Sequence, residues 1–151
     1  MLTYFDSSVI LAILLDEKRK VEALKLWNNA NIRVSSILLR LETLTVLRRT
    51  YEHNKDKLPS LWLSKKINEL NEYLQEINIR IIDEDIEKIM KIKKEVAKCK
   101  TLDAIHIATA IEFSKLVNQK EFMMISFDKE MLKLAKSLKM IINSSPEENF
   151  F

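Results

Sequence analysis

The chain has 151 residues, enough for one domain with a substantial core that needs neither disulfides nor a structural metal. Its hydrophobic content of 47% and charged content of 31% fit a compact soluble protein, and a net charge of +3 permits an acidic partner without demanding one. With no glycine and a single cysteine, Cys99, the sequence excludes phosphate-cradling Gly-rich loops, dinucleotide fingerprints, the hydrolase nucleophile elbow, internal disulfides and multi-cysteine zinc sites.

In chain order, residues 3–5 read as a short strand, and Asp6-Ser7-Ser8 can cap a helix that continues through residues 9–15. The apolar run 9–15 is too short to span a membrane and lacks the flanks of a signal peptide, so the chain is expected in the cytoplasm. A second helix is predicted over 18–29 and a strand over 32–34, after which Ser35-Ser36 caps a helix to about residue 51. Pro59-Ser60 opens a helix whose stripe is Leu63, Ile67, Leu70, Leu74 and Ile77; beside Trp62 and Tyr73, it either docks on a partner or second copy or is consumed by the chain's own core. A strand follows over 79–82, then Asp83 caps a Lys-rich helix to about residue 98, and Thr101 caps an apolar helix to 117. Residues 122–127 read as a strand, 129–138 as a helix and 140–142 as a last strand, with 144–151 a loose tail. Without glycine, Asn31, Asn78, Asn118 and Asn143 are the expected left-handed turn positions, and Cys99 is expected as a packing thiol. Strands alternating with helices predict one domain over 1–151, built on a parallel sheet covered on both faces, with ligands outside the carboxyl ends of the strands.

Asp6 directly follows the first strand and Asp128 follows the strand at 122–127, so both carboxylates emerge at that edge, although each is also a good helix N-cap. Glu42 has Leu38, Leu39 and Val46 as helical neighbours, an apolar setting that a carboxylate occupies with a partner or a metal. Asp103 lies in the first turn of the most apolar helix, where close packing gives the rigid placement a metal ligand needs, while favourable interaction with the helix dipole explains it equally well. His106, one turn later, is assigned a structural role.

The segments T-Y-F-D-S-S-V-I-L-A, S-S-I-L-L-R-L-E, T-L-D-A-I-H-I-A-T-A and I-S-F-D-K-E-M together resemble PIN domains, VapC-type toxins above all. The resemblance implies a three-layer α/β/α sandwich with a central parallel sheet, Mg²⁺ or Mn²⁺ at an acidic site, and endonucleolytic cleavage of RNA. It matches Asp6, Glu42, Asp103 and Asp128 to the family's acidic positions and Ser7 and Ser126 to small hydroxyl positions beside them. Hard cations take oxygen ligands, and Mg²⁺ keeps several waters, so Asp6 and Asp103 are expected as direct metal ligands, Asp128 as direct or water-mediated, and Glu42 as the group that orients or deprotonates the attacking water. Of the basic residues, Arg40 and Lys100 stand closest in sequence to the acids and are expected to position substrate.

Three readings compete. The first is the toxin of a type II toxin–antitoxin pair that cleaves tRNA or rRNA, acts as a homodimer and is controlled by a small antitoxin; the second is a housekeeping RNA-processing nuclease of the same fold. The third, a non-enzymatic signalling module of receiver-like fold, needs paired acids after the first strand and a lysine after a late one, where this chain has Asp6-Ser7-Ser8 and Ser126-Phe127-Asp128.

Overall fold

Two short apolar segments, Leu2–Phe5 (β1) and Phe122–Ile125 (β4), pair in parallel at the centre of a five-stranded sheet. The computed structural model of the chain, which describes residues 1–143, orders the strands β3-β2-β1-β4-β5, with β2 at Ile32–Ser36, β3 at Asn78–Arg80 and β5 at Ile141–Ile142. Every neighbouring pair is parallel, so the connections must cross over the faces as helices. Helices α1 (Ser7–Leu14), α2 (Lys20–Asn29), α3 (Ile37–His53) and α4 (Trp62–Leu74) cover one face. The other carries α5 (Glu84–Ile92), α6 (Thr101–Ser114) and α7 (Lys129–Ser137). This is the expected three-layer sandwich.

Strand alternation divides the core between the layers: Leu2, Tyr4, Phe122 and Met124 pack under α5–α7, while Phe5 and Ile125 pack under α1–α4. Leu63, Leu70 and Ile77 are buried in the second cluster, with Ile67 and Leu74 packed against it. The α4 stripe is therefore taken up by the chain's own core.

Several predicted boundaries shift for identifiable reasons. Strand β3 stops at Arg80, opposite Ser36, because β2 ends there and leaves Ile81 and Ile82 nothing to pair with; both are exposed. Strand β4 stops at Ile125, since the Ser126 amide donates to the Asn143 side chain and the Phe127 amide to Ser8 Oγ. The Lys-rich helix breaks at Lys93, and a 3-10 turn at Lys94–Lys98 buries Val96 as the chain turns toward α6. Lys100, not Thr101, is the N-cap of α6, which ends at Ser114.

None of the four asparagines takes a left-handed conformation; among the described residues Asp16 (φ 52°) and Lys139 (φ 63°) do. Each is the first residue beyond a helix C-cap. The amide of Glu17 returns to the Ala12 carbonyl and that of Met140 to the Ala135 carbonyl, the six-to-one bond that closes such a helix end. Asn143 is instead buried, its amide clasping the backbone of Ser126 through both the N–H and the carbonyl. The predicted tail at 144–151 lies outside the described residues.

Candidate active site

The strand order reverses between β1 and β4, and this is where a parallel sheet opens a crevice at its carboxyl edge. Asp6 emerges there from β1 and is 3% exposed. Its Oδ1 accepts from the amide and the hydroxyl of Ser8, the former being the N-cap bond of α1, and its Oδ2 accepts from the Ser126 hydroxyl at the end of β4. Ser126 Oγ in turn accepts from the Asp128 amide at 3.0 Å, so a short relay ties the two strand ends together. Asp6 thus caps α1 and is buried at the carboxyl edge of the sheet. Two hydroxyls meet it, that of Ser126 and that of Ser8, the latter next to the expected Ser7.

Asp128 caps α7 through bonds from the amides of Glu130 and Met131 and is exposed. Facing it, Asp103 projects from the first turn of α6 into a cleft of about 630 Å³ whose lining includes Lys98, Cys99, Lys100, Asp103, Asp128 and Lys133. Burial and then the Asp128 charge push the Asp103 carboxyl above its ordinary range, with a smaller push from Glu42, against the opposing pulls of His106 and Lys100. Asp6 is also raised, by burial, against the hydrogen bonds from Ser126 and Ser8. Arg40 is exposed on α3, two residues before Glu42. Cys99 is half-buried and packs against the core beside the cleft, its thiol pushed up by burial and by Asp103.

Glu42 is 25% exposed, and one of its oxygens meets His106 Nε2 at 2.5 Å. His106 is 2% exposed, and its Nδ1 lies 2.6 Å from the Tyr4 hydroxyl. Sequence reasoning passed over Ser8, Tyr4 and Asn143 and set His106 aside. The available signal was the spacing of His106 from Asp103, one helical turn on the same face. Its partners lie 102 and 64 residues away and leave no local trace.

The PIN domain model matches residues 3–137. The chain belongs to the PIN-domain family. PIN domains are nucleases that generally use divalent metal ions. No curated protein matches this PIN domain in sequence. Among solved structures its fold is similar to a chain of VapBC2 from Rickettsia felis bound to a DNA fragment from their promoter, with a TM-score of 0.62 and 11% identity over 95% of this chain and 98% of that one. A chain of a toxin–antitoxin complex from Klebsiella pneumoniae is similar with a TM-score of 0.59 and 17% identity, covering 86% of this chain and 89% of that one.

Does the PIN site suit a divalent cation? Among the described residues no three His, Cys, Asp or Glu side chains form a group able to hold an ion by themselves. Mg²⁺, however, usually takes one or two carboxylates and fills its remaining positions with water. Asp103 and Asp128 share one open cleft, and their mutual repulsion is the charge imbalance that a cation relieves. Asp6 uses three of its roughly four acceptor positions on Ser8 and Ser126 and keeps one in reserve. All these donors are oxygens, and they fit a hard ion held largely through its waters.

Proposed function

We propose that this PIN domain is a metal-dependent endoribonuclease, the toxin of a type II toxin–antitoxin pair, and that it cuts tRNA or rRNA. The observation that carries the reading is that Asp103 and Asp128 line one open cleft together with lysines, while the charges of Asp128 and Glu42 both act on Asp103. Its similarity in fold to chains of toxin–antitoxin complexes supports the choice of a toxin, a small antitoxin as partner and a homodimer as the working form.

In this reading Asp103 and Asp128 would hold Mg²⁺ or Mn²⁺, with Asp6 behind them. A bound divalent ion supplies charge neutralisation at the phosphate and makes water acidic enough to attack at neutral pH. Glu42 orients the attacking water and takes its proton. Lys100, with Lys98 and Lys133 along the same cleft, holds phosphates flanking the scissile one, and Arg40 meets the strand from α3. Ser126 holds Asp6 and the start of α7 in register, and Ser7 stands at the first turn of α1 beside them.

The test is incubation of the purified protein with total RNA and Mg²⁺ or Mn²⁺, followed by mapping of new ends. Defined cuts in tRNA or rRNA are expected, abolished by chelator and by Asp103→Asn with an unchanged circular dichroism spectrum. Cleavage by Asp103→Asn at the wild-type rate overturns the assignment.

A further inference from the structure

His106 is the one chemistry-bearing residue of the α6 motif that the reading above leaves without a task. It lies between β1, which carries Tyr4 and leads directly into Asp6, and α3, which carries Glu42, and it stands itself on the helix that carries Asp103. The side chains form one buried line: the Ser36 amide donates to the Tyr4 hydroxyl oxygen at 3.3 Å, Tyr4 meets Nδ1, and Nε2 meets Glu42 Oε1.

The direction of the hydrogens follows from the groups at each end. A tyrosine hydroxyl carries its proton at neutral pH, so Tyr4 has one to donate. Ser36 already fills an acceptor position on that oxygen, and His106 Nδ1 accepts the hydroxyl proton. With Nδ1 accepting, the ring's hydrogen stands on Nε2, pointed at the carboxylate. Tyr4 packs edge-on to the ring, at 5.9 Å between centroids and 81° between planes, and also touches Phe113, so neither side chain is free to turn away. A leucine here would fill α6 with less desolvation cost; what the polar line adds is a fixed direction for Glu42.

We propose that His106 is a positioning residue for RNA cleavage, anchored by Tyr4, that grips one oxygen of Glu42 and leaves the other to the attacking water. This rests on the nuclease reading and assigns within it two residues that never touch substrate. Losing Tyr4's hydroxyl frees the ring to carry its hydrogen on Nδ1, which turns a lone pair toward Glu42 and releases it.

The test has two independent readouts. The chain holds two histidines, so ¹⁵N-histidine labelling gives signals from His53 and His106 alone, separable with a His53→Gln variant. The wild type is expected to show the Nε2–H tautomer at His106, and Tyr4→Phe a mixture. In RNA cleavage, Tyr4→Phe is expected to lower kcat roughly 10- to 100-fold with KM unchanged, the usual cost of losing such a supporting hydrogen bond. It should cost nothing further in a Glu42→Gln background. His106→Gln, which keeps an N–H toward Glu42, should retain more activity than His106→Leu, which keeps only volume. An Nδ1–H tautomer in the wild type, a wild-type kcat for Tyr4→Phe, or a loss that adds in full to Glu42→Gln overturns the proposal. If the wild type cuts no RNA under any metal, the nuclease reading falls by itself, and the nitrogen signals still decide whether the ring donates to Glu42.

Discussion

Burial lifts the Asp6 carboxyl, and burial together with the Asp128 charge lifts that of Asp103, so both bind their protons more tightly in the folded chain than in the unfolded one. Raised carboxylates contribute stability that is fully present below their ordinary pKa and is lost as pH climbs through the folded-state value. Metal-free protein is therefore expected to lose stability from the acidic range toward neutrality. Asp103→Asn removes one repelling charge at nearly constant shape, whereas Asp6→Asn would disturb the oxygens that hold Ser8 and Ser126. In chelator at neutral pH, Asp103→Asn should melt higher than wild type by roughly 1–3 °C, a modest gap because solvent screens a partly exposed carboxylate. The gap should close as pH falls below the carboxylate range, and excess Mn²⁺ should raise wild type alone. Melting curves of both proteins decide the matter; a variant that melts lower in chelator at neutral pH contradicts a shared acidic site.

At the level of elements, a chain without glycine must end its helices by other means. Helices α1 and α7 close with Asp16 and Lys139 in left-handed geometry. Aspartate tolerates that region better than most residues, but lysine suffers the full clash of its Cβ with the following carbonyl. Lys139 is exposed, and its carbonyl, rather than its side chain, receives Gln119 Nε2 at 2.8 Å. Lys139→Gly is accordingly expected to stabilise the fold by about 1 kcal/mol, read as a higher urea midpoint at constant slope. Helix α6 shows the same economy of means: its buried Ala104, Ile107, Ala108, Ala110 and Ile111 seat it against the sheet, and that seating holds Asp103 and His106 in place.

Over the whole molecule one cleft brings both signs of charge together, Asp103, Asp128 and Glu130 with Lys98, Lys100 and Lys133. If those lysines hold RNA phosphates, replacing all three by alanine weakens binding in a salt-dependent way. For a single strand each phosphate contact adds about 0.7 to the slope of log affinity against log salt, so the triple variant should flatten it by about 2. Titration of a catalytically silent Asp103→Asn background with labelled RNA at several salt concentrations measures this. An unchanged slope places the strand elsewhere. Among the described residues no helix is long and apolar enough to cross a membrane.

Much of this was written in local pattern. Strand–helix alternation, the capping role of Asp6, Ser36, Asp83 and Asp128, and an acid directly after β1 follow from periodicity and spacing within a few residues and recur in the structure, whereas Asp128 stands beyond a strand that stops at Ile125 rather than directly after it. Glu42 was legible because a carboxylate on an apolar helix face requires a partner, but the partner itself was not. Which strands are neighbours is decided by burial summed over the whole chain, and only the order β3-β2-β1-β4-β5 sets β1 against β4. That choice brings Ser126 to Asp6 across 120 residues, His106 between Tyr4 and Glu42, and Asn143 under Ser126. The left-handed positions were missed for the same reason. A residue takes that conformation where a helix must end for the chain to turn into the next element, and tertiary packing, rather than residue preference, put Asp16 ahead of α2 and Lys139 ahead of β5.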